Sequence, residues 1–167
     1  FVISKEKSPI KVRGITTGKI VDYGVKDSMN MGACMAPAAA EVIYQHFNDF
    51  AMTPDDYDAI YTGDLGEVGK EILIKLLKDN GYDISKVHGD CGIEVYQDET
   101  QDTHAGGSGC ACSAVVLSSM ITRKMINGGW NRVLFVPTGA LLSKTSFNEG
   151  ETVPGIAHGV LLEREDV

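Results

Sequence analysis

The stretch GGSGCACSAVVLSSMITRKMINGGWNRVLFV, Gly106–Val136, decides how the chain is read. It passes from a glycine turn into a helical run, stops at paired glycines, and resumes as an apolar strand. A helix is expected from about Ala111 to Asn127, closed by Gly128 and Gly129. RVLFVPTG, Arg132–Gly139, then reads as a strand.

The same grammar extends outward. VRGITTGKIVDYG, Val12–Gly24, is rich in β-branched residues and predicts a strand. Pro37 suits a first helical position, and Val42, Ile43, Phe47 and Phe50 follow at helical spacing. YDAIYTG, Tyr57–Gly63, is a short buried-strand candidate. Val68, Ile72, Leu73, Leu76 and Leu77 then mark one face of a second helix, ended by Asn80-Gly81. CGIEVYQ, Cys91–Gln97, is a strand candidate, and Gln97–His104 reads as a polar, acidic loop. Ser143–Gly155 reads as a loop between neighbouring strands, and IAHGVLLER, Ile156–Arg164, as the last strand. The order β-α-β-α-(β)-α-β-β predicts an α/β fold, a mixed sheet covered by helices. With no helix between them, the last two strands should pair antiparallel. FVISKEKS, residues 1–8, reads as a strand already in progress, as though the chain began inside a longer protein.

Fifteen basic residues face 23 acidic ones, a net charge of -8, which argues against a nucleic-acid partner. No apolar run approaches the roughly 20 residues that span a bilayer. At 167 residues and 43% apolar content, the chain can build its own core without disulfides. Cys34, Cys91, Cys110 and Cys112 are therefore expected as free thiols.

Chemistry concentrates at the glycine turn. Gly107 and Gly109 allow close backbone approach, the helix behind them offers unpaired N–H groups, and Ser108 adds a hydroxyl. Such a turn holds a carboxylate or phosphate, or it serves only close packing. It is not a P-loop, since no Gly-Lys-Ser/Thr follows, and the third glycine of a dinucleotide fingerprint falls on Cys112. Cys110 and Cys112, one residue apart, do not match zinc spacing, so no metal is expected. Cys110 near a helix start could be a nucleophile, but it would need His104 or His158 as a base. His158 inside the last strand reads more readily as a satisfied interior group than as a catalyst. Asp64, in TGDLGEVG just past a strand, is either a pocket residue or an N-cap. The methionines of MNMGACMAPAAA, Met29–Ala40, are expected to pack in the core.

MGACMAPAAAEVI, DDYDAIYTGDLG, GGSGCACSAVV, NRVLFVPTGALLS and PGIAHGVLLER together resemble the C-terminal half of the stage V sporulation protein AD family. The resemblance covers nearly the whole chain. It implies a thiolase-like fold, in which two βαβαβαββ halves pack together, with residues 1–167 as one half and 1–8 as the last strand of the other. It further implies binding of dipicolinic acid, alone or as its calcium chelate, without a cofactor, and a part in spore dipicolinate uptake and release. Implied partners are the proteins of the same operon, membrane subunits among them, at the spore inner membrane; an isolated half is expected to pair with a second copy.

Thiolase-like condensing enzymes take a Cys nucleophile from the first half and His with Asn or a second His from the second. By this resemblance Asp64 stands where such an enzyme holds His, and Ser108 where many hold Asn. An aspartate cannot stabilise an oxyanion as an imidazole does. The implied protein is a non-catalytic binder, with Asp64, Gly107, Ser108, Gly109, Cys110 and His158 as its ligand-binding residues; a condensing or acyl-transfer enzyme of the same superfamily is the alternative.

Overall fold

Strand β4 (Arg132–Val136) lies at the centre of a five-stranded sheet. Its apolar run is buried on both sides, as a central strand between helical layers requires. The computed structural model describes residues 2–96 and 100–165. The strands β1 (Ile10–Thr16), β2 (Ala59–Thr62), β3 (His88–Asp90) and β7 (Gly159–Arg164) complete the sheet in the order β1-β7-β4-β2-β3. β2 pairs parallel with β3 and β4, while β7 runs antiparallel to β4 and β1. The expected antiparallel pairing of the last two strands is present, in a mixed α/β architecture.

Alternation along the strands divides the core. Leu134, Val136, Ile60 and Leu161 face helices α1 (Met31–Phe50) and α2 (Gly66–Asp79). Val133, Phe135, Tyr61 and Leu162 face a second layer. That layer is α4 (Cys112–Val116), a wider π turn over Leu117–Ile121, and α5 (Thr122–Ile126), close to the helix expected over 111–127. Helices α1 and α2 touch through glycine: a Cβ on Gly69 would stand 2.8 Å from the Gly32 carbonyl oxygen.

Several expectations are corrected. β1 starts at Ile10 and ends at Thr16; beyond it Val21 forms an isolated bridge to Gly155, and Gly18 and Val25 make single hydrogen bonds to His158 and Val153 rather than a continuous ladder. Ahead of β1, residues 2–9 join neither sheet of this chain, and Val2 and Ile3 are 96% and 87% exposed, so their place in the sheet of another half stays an expectation. Phe1 lies outside the described residues. Pro37 sits inside α1 rather than at its start. The helix begins earlier because the Asn30 side chain accepts from the Ala33 N–H at 3.2 Å, a true N-cap. Of the methionines near this start, Met35 is buried but Met29 is 91% exposed.

Cys91–Glu94 is a helical turn, α3, and the strand is the His88–Asp90 triplet before it. Asp90 imposes the change by accepting from the Gly92 N–H, overriding the β preference of Ile93 and Val95. Gln97–Glu99 of the expected acidic loop lie outside the described residues. Ser143–Gly155 is not all loop: Ser143 and Ser146 cap each other and start α6 (Lys144–Asn148).

The last strand is broken at His158. β6 (Gly155–Ala157) pairs with β5 (Thr138–Ala140) in a small second sheet, whereas β7 joins the main one. Pro137 interrupts the opposite strand at the same level, and its carbonyl accepts from the His158 N–H at 3.4 Å. Both strands change sheets at one point.

Candidate functional site

Three loops converge beyond the ends of the parallel strands β2, β3 and β4, the end at which open α/β sheets gather ligands. Each loop delivers one polar residue to a common point. Asp64 follows β2, Ser108 stands in the glycine turn, and Thr138 opens β5.

The glycine turn does hold a carboxylate, and it is the chain's own. Asp64 Oδ2 accepts from the Ser108 hydroxyl at 2.7 Å and from the Gly109 N–H at 3.2 Å. Asp64 Oδ1 accepts from the Thr138 hydroxyl at 3.2 Å, and the Thr138 oxygen accepts the Asp64 N–H at 3.2 Å. Gly107 N–H is spent on the Gly92 carbonyl at 2.7 Å. Two donors of the turn, the Ser108 hydroxyl and the Gly109 N–H, thus already serve Asp64, and a third serves Gly92. Nor is Asp64 the N-cap of α2. Leu65 occupies that position without a side-chain bond.

The anchor is Asp90, which sequence reasoning missed. Its carboxylate is 1% exposed and accepts the Thr62 hydroxyl and three backbone N–H groups, those of Leu65, Gly66 and Gly92. Burial holds its carboxyl above the usual range, with those four donors opposing. His88 Nε2 lies 3.0 Å from the Thr62 hydroxyl, and burial, aided by Lys70, depresses its imidazole to about 3. The signal was present as Gly89-Asp90 closing a strand, the same pattern as Gly63-Asp64.

The remaining predicted residues are placed apart in role. His158 is exposed, and its Nδ1 accepts the Gly18 N–H at 3.1 Å. It is neither interior nor, among the described residues, bonded to a cysteine. His104 is 88% exposed on its side chain and pairs with Asp102. All four cysteines are free, as expected; Cys110 is exposed, while Cys34 and Cys91 are buried. Burial, then the Asp64 and Asp90 carboxylates, push the Cys112 thiol up to about 11. Among the described residues no three His, Cys, Asp or Glu side chains converge as metal ligands. Among them, too, no helix is long and apolar enough to cross a membrane.

The family model for stage V sporulation protein AD matches residues 1–163. Stage V sporulation protein AD of Bacillus subtilis (strain 168) is 50% identical over 163 residues, covering 98% of this chain. The chain spans 48% of that relative's length. Among solved structures, the fold is similar to AbyA1, a tetronic acid condensing enzyme, with TM-score 0.53 and 13% identity over 96% of this chain and 51% of that one. A 3-oxoacyl-[acyl-carrier-protein] synthase III from Aquifex aeolicus VF5 gives TM-score 0.49 at 12% identity, over 95% and 54% of the two chains.

Proposed function

This chain belongs to the stage V sporulation protein AD family, and from that premise we propose that it forms one wall of a non-catalytic site for dipicolinic acid, free or as its calcium chelate. The ligand's identity rests on the family. The absence of catalysis rests on one observation: the point where the loops converge holds a carboxylate bonded to a hydroxyl, Asp64 to Ser108 at 2.7 Å.

A condensing site needs donors aimed at a developing oxyanion and a base within reach of a nucleophile. Asp64 offers a negative charge instead. It also consumes the Ser108 hydroxyl and the Gly109 N–H, the donors an oxyanion would use. Cys112, pushed up to about 11, stays a thiol at neutral pH. With their protons given to Asp64, the Ser108 and Thr138 hydroxyls leave acceptor oxygens rather than free donors at this wall, which suits orienting a ligand or its bound cation rather than bond making. We place the protein with the products of its operon at the spore inner membrane, the rest of the ligand pocket being supplied by the other half of full-length relatives.

Titration calorimetry of the full-length protein with dipicolinate tests the reading, with heat and saturation expected. No heat at millimolar dipicolinate, or turnover of an acyl thioester at Cys110 or Cys112, would replace it with the condensing-enzyme reading.

A further inference from the structure

Asp64 and Ser108 lie in separate loops, and no strand pairing joins those two loops where they meet. Asp90 links them. Its Oδ2 accepts the Leu65 N–H at 2.9 Å, one residue beyond Asp64. Its Oδ1 accepts the Gly66 N–H and the Gly92 N–H, each at 3.0 Å. The Gly92 carbonyl in turn accepts from Gly107, the residue before Ser108. A second tie closes the loop, from the Glu67 N–H to the Ala105 carbonyl at 2.8 Å. There is no slack: a Cβ on Gly66 would collide with the Ala105 carbonyl, and one on Gly92 with the Gly107 carbonyl. Gly66 also has φ +63, which favours glycine.

We propose that Asp90 is the positioning residue of the site, its buried carboxylate setting the distance between Asp64 and the Ser108–Gly109 turn. Among the described residues Asp90 forms no ion pair, so backbone dipoles and one hydroxyl carry its charge. Its bonding pattern requires acceptors on both oxygens. An asparagine keeps Oδ1 for Gly66 and Gly92 but turns an NH2 toward the Leu65 N–H, setting donor against donor. The Thr62 hydroxyl, 2.6 Å away, gives its proton to Asp90, so His88 donates to Thr62 from Nε2. The positioning itself does not depend on the ligand; only its consequence for dipicolinate rests on the functional reading above.

Amide exchange measured by NMR on Asp90→Asn tests the inference. The Gly109 N–H, bonded to Asp64, should exchange about fivefold faster or more, and the Leu65 and Gly109 amide shifts should move, while Leu134 and Phe135 in β4 keep their relative protection. Leu73→Ala serves as the control, since it removes packing far from the carboxylate: it should lower the melting temperature without selectively releasing Gly109. If Asp90→Asn does not fold, Thr62→Val, which removes one donor, should release Gly109 in part, and Thr62→Ser should restore it. Gly109 protection unchanged relative to β4 in Asp90→Asn, or in Thr62→Val should the former not fold, overturns the inference. Dipicolinate titrations on the same variants read the two ideas separately. A wild-type protein that ignores dipicolinate, with Gly109 still released in Asp90→Asn, refutes the functional reading and leaves the positioning intact.

Discussion

Asp64 and Ser108, 44 residues apart in the chain, meet through a 2.7 Å hydrogen bond that joins the β2–α2 loop to the glycine turn. The bond turns a surface that could receive an anion into one that already contains it. It also ties together two loops that no strand pairing joins.

Ser108→Ala removes the hydroxyl and leaves Asp64 with Gly109 and Thr138. The bond is exposed, so the stability loss should be small, about 1 kcal/mol or less in urea unfolding. Dipicolinate binding by the full-length protein should weaken much more than stability, by about tenfold, because the wall itself is deformed. Unchanged calorimetric affinity would remove Ser108 from the site.

Gly69→Ala should destabilise by about 1–3 kcal/mol. Helix propensity alone predicts the opposite sign, a gain of up to about 1 kcal/mol. The new methyl would stand 2.8 Å from the Gly32 carbonyl oxygen and 2.9 Å from Leu65 Cβ, and the carbonyl is backbone that cannot turn aside. A melting temperature raised by the substitution would show that α1 and α2 do not approach this closely.

Stability should fall with acid between about pH 6.5 and pH 4. His46 is fully buried against Phe50 with its Nδ1 on the Thr16 hydroxyl, and burial depresses it to about 4. The unfolded chain takes up the proton near pH 6.5 and the folded chain does not, so the neutral ring's contribution is complete above that pH. It is lost as pH drops toward the folded value, up to about 3 kcal/mol for His46. His88, at about 3, acts in the same sense. Asp90, raised by burial, acts in the opposite sense at the lower end of the window. Urea midpoints at pH 7.5 and pH 5 should therefore differ, and His46→Gln should shrink the difference. Equal midpoints in the unmodified chain would mean that both imidazoles reach water.

Native iodoacetamide at neutral pH should label Cys110 and spare Cys34 and Cys91, which are buried. Cys112, held as a thiol, should lag far behind Cys110. Mass spectrometry after denaturation should recover all four sites. Faster labelling of Cys112 than of Cys110 would point to an activated nucleophile and favour the condensing-enzyme reading.

The order of elements was legible because buried strands and amphipathic helices carry their period in local sequence. Arg132–Val136, the α2 face through Leu73 and Leu77, and the glycine stops at Gly81 and Gly128 all lie where pattern places them. What failed was decided by single polar contacts, two of them between near neighbours and one across the sheet, which hydrophobic period does not record. Cys91–Glu94 coils because Asp90 caps it, α1 runs through Pro37 because Asn30 starts it, and the last strand splits at His158 because Pro137 lies across from it.

The site divides in the same way. By itself the sequence determined that a glycine turn with Ser108 opens a helix, and that Asp64 follows a strand; both are matters of neighbours along the backbone. Only the tertiary structure decided that Asp64 fills that turn and that Asp90, from a third strand end, holds both loops in place. A carboxylate's lone pairs are satisfied by whichever donors the packed sheet brings within about 3 Å, and separation along the chain does not record that distance.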